Sequence, residues 1–267
     1  MNNLEKKIRS KNAIICVIGL GYVGYPLLKL IYNNGFKLIG LDNDKNKIRR
    51  LKAEPLKKVI FTNDYSSIQK SDIIIFTLPT PVNKKKKPDL RILKKSVYSS
   101  LKYLKDNQLI IFESTSYPGT TDECKSIIQK YSKKKINIAY SPERVDPGNK
   151  EFDIKNITKI ISADSSSELE LIKIFYKKIF KKTIDSSNIK TAEMAKIFEN
   201  IFRSVNIGLV NEMKIICDKL NLDIFEIINL ASTKNFGFQK FLPGPGLGGH
   251  CIPIDPFYLS WISKING

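Results

Sequence analysis

The 267 residues suffice for one large domain or two modest ones, and 42% apolar with 27% charged residues excludes a disordered or fibrous chain. A formal charge of +19 raises nucleic acid or a membrane surface as partners. The excess is mostly lysine, however, spread through loops and helix faces rather than gathered into one groove, so neither partner is expected.

Near the N-terminus, Lys6, Lys7, Arg9 and Lys11 precede the uncharged stretch Ala13 to Leu28 and imitate a secretion signal. Three glycines, a proline and a length too short to span a bilayer point instead to a buried strand and turn. From there short apolar runs alternate with amphipathic stretches. The expected strands are Ile14–Ile18, Lys37–Leu41, Val59–Phe61, Ile73–Leu78, Leu109–Phe112, Ile136–Ala139 and Lys159–Ser162, with helical spacing at Pro26–Tyr32, Ile92–Leu104 and Leu169–Ile179. Continuous apolar strands separated by helices predict a parallel sheet covered on both faces, a doubly wound, Rossmann-like α/β domain.

After about Ser187 the pattern changes. Met194, Ile197, Phe198, Ile201, Val205, Leu209, Met213 and Ile216 recur every three or four residues and predict one long helix. A shorter helix is expected at Asp223–Ala231, then a loop rich in glycine and proline from Phe236 to Pro256. These features predict a dinucleotide-binding domain over residues 1–187 and an all-helical central domain over 188–267.

The first strand runs into Gly19, Gly21 and Gly24 of GLGYVG, with a helix behind it, which is the context a pyrophosphate turn requires. Gly19 permits the tight turn, Gly21 lets backbone approach a pyrophosphate, and Gly24 lets helix and strand pack closely; the helix N-terminus adds amide donors. Tyr22 and Val23 lie between these glycines. Asp42 closes the second strand, eighteen residues after Gly24, where a carboxylate accepts ribose hydroxyls and repels a 2′-phosphate, so NAD is expected over NADP. Pro79 and Thr80 follow the strand that ends near Leu78, at the carboxyl edge where such sheets bind ligands.

Four glycines crowd around Cys251 in PGPGLGGHCIPIDP, leaving room for a bulky substrate beside the sulfur. Asp255 stands four residues on, between Pro253 and Pro256. A thiol beside a carboxylate, in a chain with a dinucleotide turn, points to oxidation through a carbon–sulfur intermediate. The same loop would also suit a structural turn around an inert cysteine. Cys16, Cys124 and Cys217 fall in strand or helix patterns and read as small core residues. The four cysteines form no CxxC pair, and with a single histidine they offer no usual zinc site. Scattered thiols suit a reducing, cytoplasmic setting. Lys196, Asn200 and Arg203 share one face of the long helix, where an ammonium and an amide can hold an oxyanion or simply form a solvated stripe. Thr115 and Glu143 follow two later strands at the carboxyl edge, and Glu143 is a candidate acid, base or water-positioning group.

Taken in order, GLGYVG, LPTP, ESTSYPGTT, SPERVDPGN, TAEMAKIFEN with FRSVNIGLVNE, and GPGLGGHCIPIDPFYLSW resemble the UDP-glucose/GDP-mannose dehydrogenase family of nucleotide-sugar 6-dehydrogenases over Ile14 to about Trp261. The last motif and SPERVDPGN are most similar to UDP-N-acetylglucosamine 6-dehydrogenases. UDP-glucose and UDP-N-acetylmannosamine dehydrogenases are the alternatives. The resemblance implies a four-electron oxidation of carbon 6 of a UDP-sugar by two NAD, for surface polysaccharide precursors. It implies Cys251 as nucleophile, Lys196 and Asn200 as oxyanion holders, and Asp255, Thr115 and Glu143 for protons and the attacking water. It also implies a homodimer through the central helices and a further, UDP-gripping domain. The sequence stops at Gly267, so a truncated central domain with exposed apolar helix surface is expected. An inactive NAD-binding module is the competing reading.

Overall fold

A computed structural model describes residues 3–144, 154–248 and 252–267. The strands are β1 (Ile14–Ile18), β2 (Lys37–Leu41), β3 (Val59–Thr62), β4 (Ile73–Phe76), β5 (Leu109–Phe112), β6 (Asn137–Tyr140), β7 (Lys159–Ala163) and β8 (Thr183–Asp185). The helices are α1 (Asn3–Arg9), α2 (Gly24–Asn33), α3 (Lys45–Leu51), α4 (Arg91–Leu101), α5 (Thr120–Tyr131), α6 (Ser166–Tyr176), α7 (Ile189–Lys219), α8 (Ile224–Ala231) and α9 (Asp255–Asn266). The chain divides into two compact units, the first over residues 1–83 and 88–196, the second over 84–87 and 197–267.

In the first unit the strands form one sheet in the order β3-β2-β1-β4-β5-β6-β7-β8. The chain leaves β1 in one direction for β2 and β3, then returns to the other side of β1 for β4. The carboxyl ends of β1 and β4 therefore flank a switch point, where open α/β sheets bind ligands. Strand alternation distributes the core between two faces. Ile15, Val17, Ile73, Ile75, Leu109 and Ile111 meet α1, α2 and α6, while Cys16, Ile18, Ile74, Phe76, Ile110 and Phe112 meet α4, α5 and the start of α7. Phe76 and Phe112 stack across neighbouring strands, 5.1 Å between ring centres.

The sheet is parallel throughout except where β6 and β7 pair antiparallel. A parallel return needs a crossover of a dozen or more residues, usually a helix, and residues 141–158 carry prolines and glycine with no helical apolar period. Other details also depart from expectation. β4 ends at Phe76 rather than Leu78, because the Thr77 hydroxyl turns back to the carbonyls of Ile18 (3.1 Å) and Gly19 (2.8 Å). The short edge strand β8 and helices α1, α3, α5 and α9 were not among the expected elements. Residue 255 opens α9 instead of lying in a loop, since Pro256 falls at the first turn, where a missing N–H costs nothing.

In the second unit the remainder of α7 runs with α8 and α9. Its small core gathers Cys217, Ile224 and Ile228, with Val210 and Ile227 packed against them. The periodic apolar residues of α7 do form one helix, but Phe198, Val205, Leu209 and Ile216 stand exposed along it. Among the described residues, no helix is long and apolar enough to cross a membrane.

Candidate functional site

At the switch point, β1 delivers Gly19 in a left-handed conformation, φ 96°. A Cβ there would meet the Thr77 carbonyl oxygen at 2.8 Å, and one on Gly24 would collide with the Gly19 carbonyl and the Thr77 hydroxyl. Gly24 thus lets the first turn of α2 press against the end of β1. A Cβ on Gly21 would touch nothing, so space lies open against that backbone. No side chain caps the start of α2 at Val23, and Tyr22 is exposed. Open backbone at Gly21 and an uncapped helix start fit a dinucleotide pyrophosphate.

Asp42 immediately follows β2 and is tied into this turn. Its Oδ2 accepts from the Leu20 amide at 2.8 Å, its Oδ1 from the Asp44 amide at 2.9 Å, and Lys47 on α3 pairs with Oδ2 at 2.8 Å. Sequence reasoning missed Lys47, although its position five residues after Asp42, one turn into a helix capped by Asp44, was a usable signal.

The LPTP and EST loops are laced together beside β4 and β5. The Leu78 amide donates to Ser114 Oγ at 3.0 Å, and the Thr80 hydroxyl donates to the Thr115 carbonyl. Thr115 is half-buried and Pro79 exposed. Glu143, three residues beyond β6, is 9% exposed. Three bonds bind the segment before and after it to the start of β7: Ser141 Oγ to the Ile160 carbonyl (2.6 Å), Lys159 Nζ to the Pro142 carbonyl (3.2 Å) and Arg144 Nη1 to the Thr158 carbonyl (2.7 Å).

Lys196 and Asn200 lie one turn apart on α7, both half-buried. Within the second unit Asn200 Nδ2 donates to Asp255 Oδ2, joining α7 to the first residue of α9, where Asp255 is 2% exposed. The structure therefore brings Asn200 and Asp255 together, and separately Thr80 with Thr115 and Asp42 with the glycine turn. Cys251 lies outside the described residues. Cys16, Cys124 and Cys217 are buried free thiols. Burial alone raises the Cys16 thiol far above its ordinary value and is the main cause that pushes Cys124 up to about 12. Among the described residues no group of three His, Cys, Asp or Glu side chains could hold a metal ion.

Two buried acids escaped sequence reasoning. Glu193, on the first turns of α7, accepts from the amides of Gly119 (2.6 Å) and Thr121 (2.9 Å) and the Thr121 hydroxyl (2.7 Å), capping α5 from another helix. Burial, the largest influence on it, pushes this carboxyl up to about 7. Glu113, immediately after β5, pairs with Lys159 at 2.8 Å. No sequence spacing links residues 46 positions apart; the one available sign was a charge ending the apolar run LIIF.

Comparison with known proteins divides the chain between residues 180 and 190, ahead of the break after residue 196 that separates the two compact units. Residues 13–180 match the NAD binding domain, and residues 190–267 the central domain, of the UDP-glucose/GDP-mannose dehydrogenase family. The chain is 37% identical to the UDP-N-acetyl-D-glucosamine 6-dehydrogenase of Pseudomonas aeruginosa, over 94% of this chain and 63% of that protein. It is equally 37% identical to the UDP-N-acetyl-D-mannosamine dehydrogenase of Methanocaldococcus jannaschii, over 99% and 65%. The solved UDP-D-ManNAc dehydrogenase of Pyrococcus horikoshii superposes with a TM-score of 0.87 at 30% identity, covering 94% of this chain and 65% of that one. The chain thus spans somewhat less than two thirds of the length of these relatives. It belongs to the UDP-glucose/GDP-mannose dehydrogenase family, contributing that family's NAD-binding and central domains.

Proposed function

We propose that this chain carries the redox half of a nucleotide-sugar 6-dehydrogenase, oxidising carbon 6 of a UDP-N-acetylhexosamine to the carboxylate. The observation that carries this reading is the Asn200–Asp255 hydrogen bond. It joins the helix motif TAEMAKIFEN to the cysteine motif, placing a donor amide beside the carboxylate four residues after Cys251.

Bound at the glycine turn, NAD supplies the hydride acceptor, one molecule for each two-electron oxidation. The protein's residues do the rest. Gly21 and the start of α2 hold the pyrophosphate, and Asp42 holds the adenosine ribose. In the first oxidation carbon 6 gives up a hydride and its hydroxyl proton passes to the acid–base groups, leaving an aldehyde to which the Cys251 thiolate adds as a thiohemiacetal anion; loss of a second hydride from that anion leaves a thioester. Lys196 and Asn200 stabilise the oxygen anion at that carbon. Water then adds to the thioester carbonyl, the carbon–sulfur bond breaks and the thiolate leaves, with Glu143, Asp255 and Thr115 positioning the water and taking its proton. N-acetylglucosamine and N-acetylmannosamine forms are supported equally by relatives of equal identity. UDP-glucose is the third candidate.

Residues 1–187 serve the dinucleotide and lend Thr115 and Glu143 to the hydrolysis, and 188–267 supply the other groups that act on the sugar. The exposed apolar stripe of α7 suits a homodimer through the central helices. The buried free thiols suit a reducing, cytoplasmic setting. Calorimetry with NAD, then NADH absorbance with UDP-N-acetylglucosamine, UDP-N-acetylmannosamine and UDP-glucose, tests the reading. NAD binding is expected with slow turnover from these 267 residues, which span 63% and 65% of the length of two relatives, because binding energy remote from the reacting carbon is what holds that carbon in place. No NAD binding, or no NADH even at enzyme concentrations above substrate, would sink it.

A further inference from the structure

Beneath the glycine turn lies a buried charge cluster that the proposed chemistry does not use. Glu113 and Lys159 are 1% and 4% exposed, and their side chains pair at 2.8 Å. Both continue the register of strand residues facing α2 and α6, which is why they meet there: Ile111 precedes Glu113 on that face of β5, and Ile161 follows Lys159 on that face of β7. From α6 the Tyr176 hydroxyl donates to Glu113, and the Lys159 ammonium lies 5.2 Å from the Tyr176 ring centre and 5.4 Å from that of Phe180.

A buried ion pair is a poor device for stability, since desolvating both charges cancels most of their attraction. Its location suggests another use. Lys159 spends a second hydrogen on the Pro142 carbonyl at 3.2 Å, one residue before Glu143. Glu143, Glu113 and Lys159 also line one small cavity of about 20 Å³, with Val23 of the glycine turn and Leu27 of α2 forming part of its wall. That volume takes one water molecule, and four charged side chains, Arg144 being the fourth, line it and give the water enough partners.

We infer that Glu113 and Lys159 are positioning residues: the pair fixes the Pro142–Glu143 backbone and, through one internal water, the direction of the Glu143 carboxyl. The inference rests on the reading of Glu143 as the group that handles the hydrolytic water. Glu113 anchors the ammonium, the ammonium anchors the Pro142 carbonyl, and Glu143 follows from its neighbour. Because Val23 shares the cavity wall, the brace also relates Glu143 to the turn that holds the dinucleotide.

The experiment compares the unmutated chain with Lys159→Met, Glu113→Gln and the double variant carrying both. Each single change leaves a buried partner uncompensated and lowers stability. The double change removes both charges, so folding recovers while the Pro142 carbonyl still lacks its donor. Hydrogen exchange read by mass spectrometry is expected to show the Glu143 and Arg144 amides exchanging at least tenfold faster in Lys159→Met and in the double variant, with α2 and α4 unchanged. In single turnovers with enzyme in excess, NADH yield should hold while uronate release slows at least tenfold in the double variant. Unchanged exchange at 143–144 in the folded double variant would overturn the brace, as would faster exchange with undiminished uronate release. If the unmutated chain forms no NADH, the dehydrogenase reading falls and the exchange data alone decide the brace.

Discussion

The Leu20 amide donates to Asp42 Oδ2 at 2.8 Å, so the acid just after β2 is part of the glycine turn itself. Lys47 pairs with the same oxygen at 2.8 Å, partly neutralising the charge that would repel a 2′-phosphate. NAD should bind tighter than NADP. Asp42→Ala should weaken NAD about ten- to a hundredfold, the loss of roughly 1.5–3 kcal/mol of charge-assisted hydrogen bonding, and narrow the preference. Lys47→Ala should widen it, because the unpaired carboxylate repels phosphate more strongly. Titration calorimetry with both cofactors measures this. Equal affinities in the unmutated chain, or a preference that narrows in Lys47→Ala, would refute the assignment.

Two glycines of the turn should separate folding from binding. A Cβ on Gly24 collides with the Gly19 carbonyl and the Thr77 hydroxyl, both part of fixed structure, so Gly24→Ala should cost about 3 kcal/mol of stability through overpacking. Gly21 faces open space. Gly21→Ala should leave the unfolding midpoint within a degree or two while weakening NAD at least tenfold, because the new methyl occupies the place of the pyrophosphate. Denaturant unfolding and calorimetry on both variants read the contrast. A Gly21→Ala chain that bound NAD normally would remove the pyrophosphate from that backbone.

The strands, the glycine turn and the long helix were legible because each is a local pattern: an apolar run, a spacing of glycines, a period of three or four. The antiparallel return of β7 was not, since direction is decided by how β7 pairs with β6 and not by its composition. Glu113, Lys159 and Glu193 were illegible for a related reason. Glu113 and Lys159 are 46 residues apart and Glu193 and Gly119 are 74 apart, pairings chosen by strand register and helix packing. Asp42 was found as an acid at a strand end, but its bond to Leu20 depends on the turn closing over it.

Three of the four cysteines should be chemically silent. Cys16 and Cys124 are fully buried, and their thiols are held well above the ordinary range, Cys124 at about 12; the thiolate is the reactive form. Iodoacetamide at pH 8 should label Cys251 in the native protein and leave Cys16 and Cys124 untouched until denaturant is added. Cys251→Ala should abolish uronate formation. Cys16→Ala, Cys124→Ala and Cys217→Ala should retain it while losing about 1–2 kcal/mol of stability each. A sugar adduct found by intact mass on any cysteine but 251 would overturn the choice of nucleophile.

Glu193 makes stability depend on pH in a specific window. Burial raises its carboxyl from an ordinary 4.5 to about 7 in the folded chain, against the opposing pull of the Gly119 and Thr121 donors. The folded state therefore holds a proton that the unfolded state releases between those values. The stabilisation linked to that proton is complete below about pH 4.5 and is lost as pH rises through about 7, at most about 3 kcal/mol in all. Glu193→Gln removes the titration and adds only a constant offset from its altered hydrogen bonds to α5. The difference in unfolding free energy, unmutated minus variant, should thus fall between pH 5 and 8 and level off above, whatever the lysine-rich surface contributes to both proteins alike. Urea unfolding at half-unit pH steps supplies the curve. A difference that stayed flat across that range would show the carboxylate ionised throughout, its charge held by the start of α5 more strongly than burial opposes it.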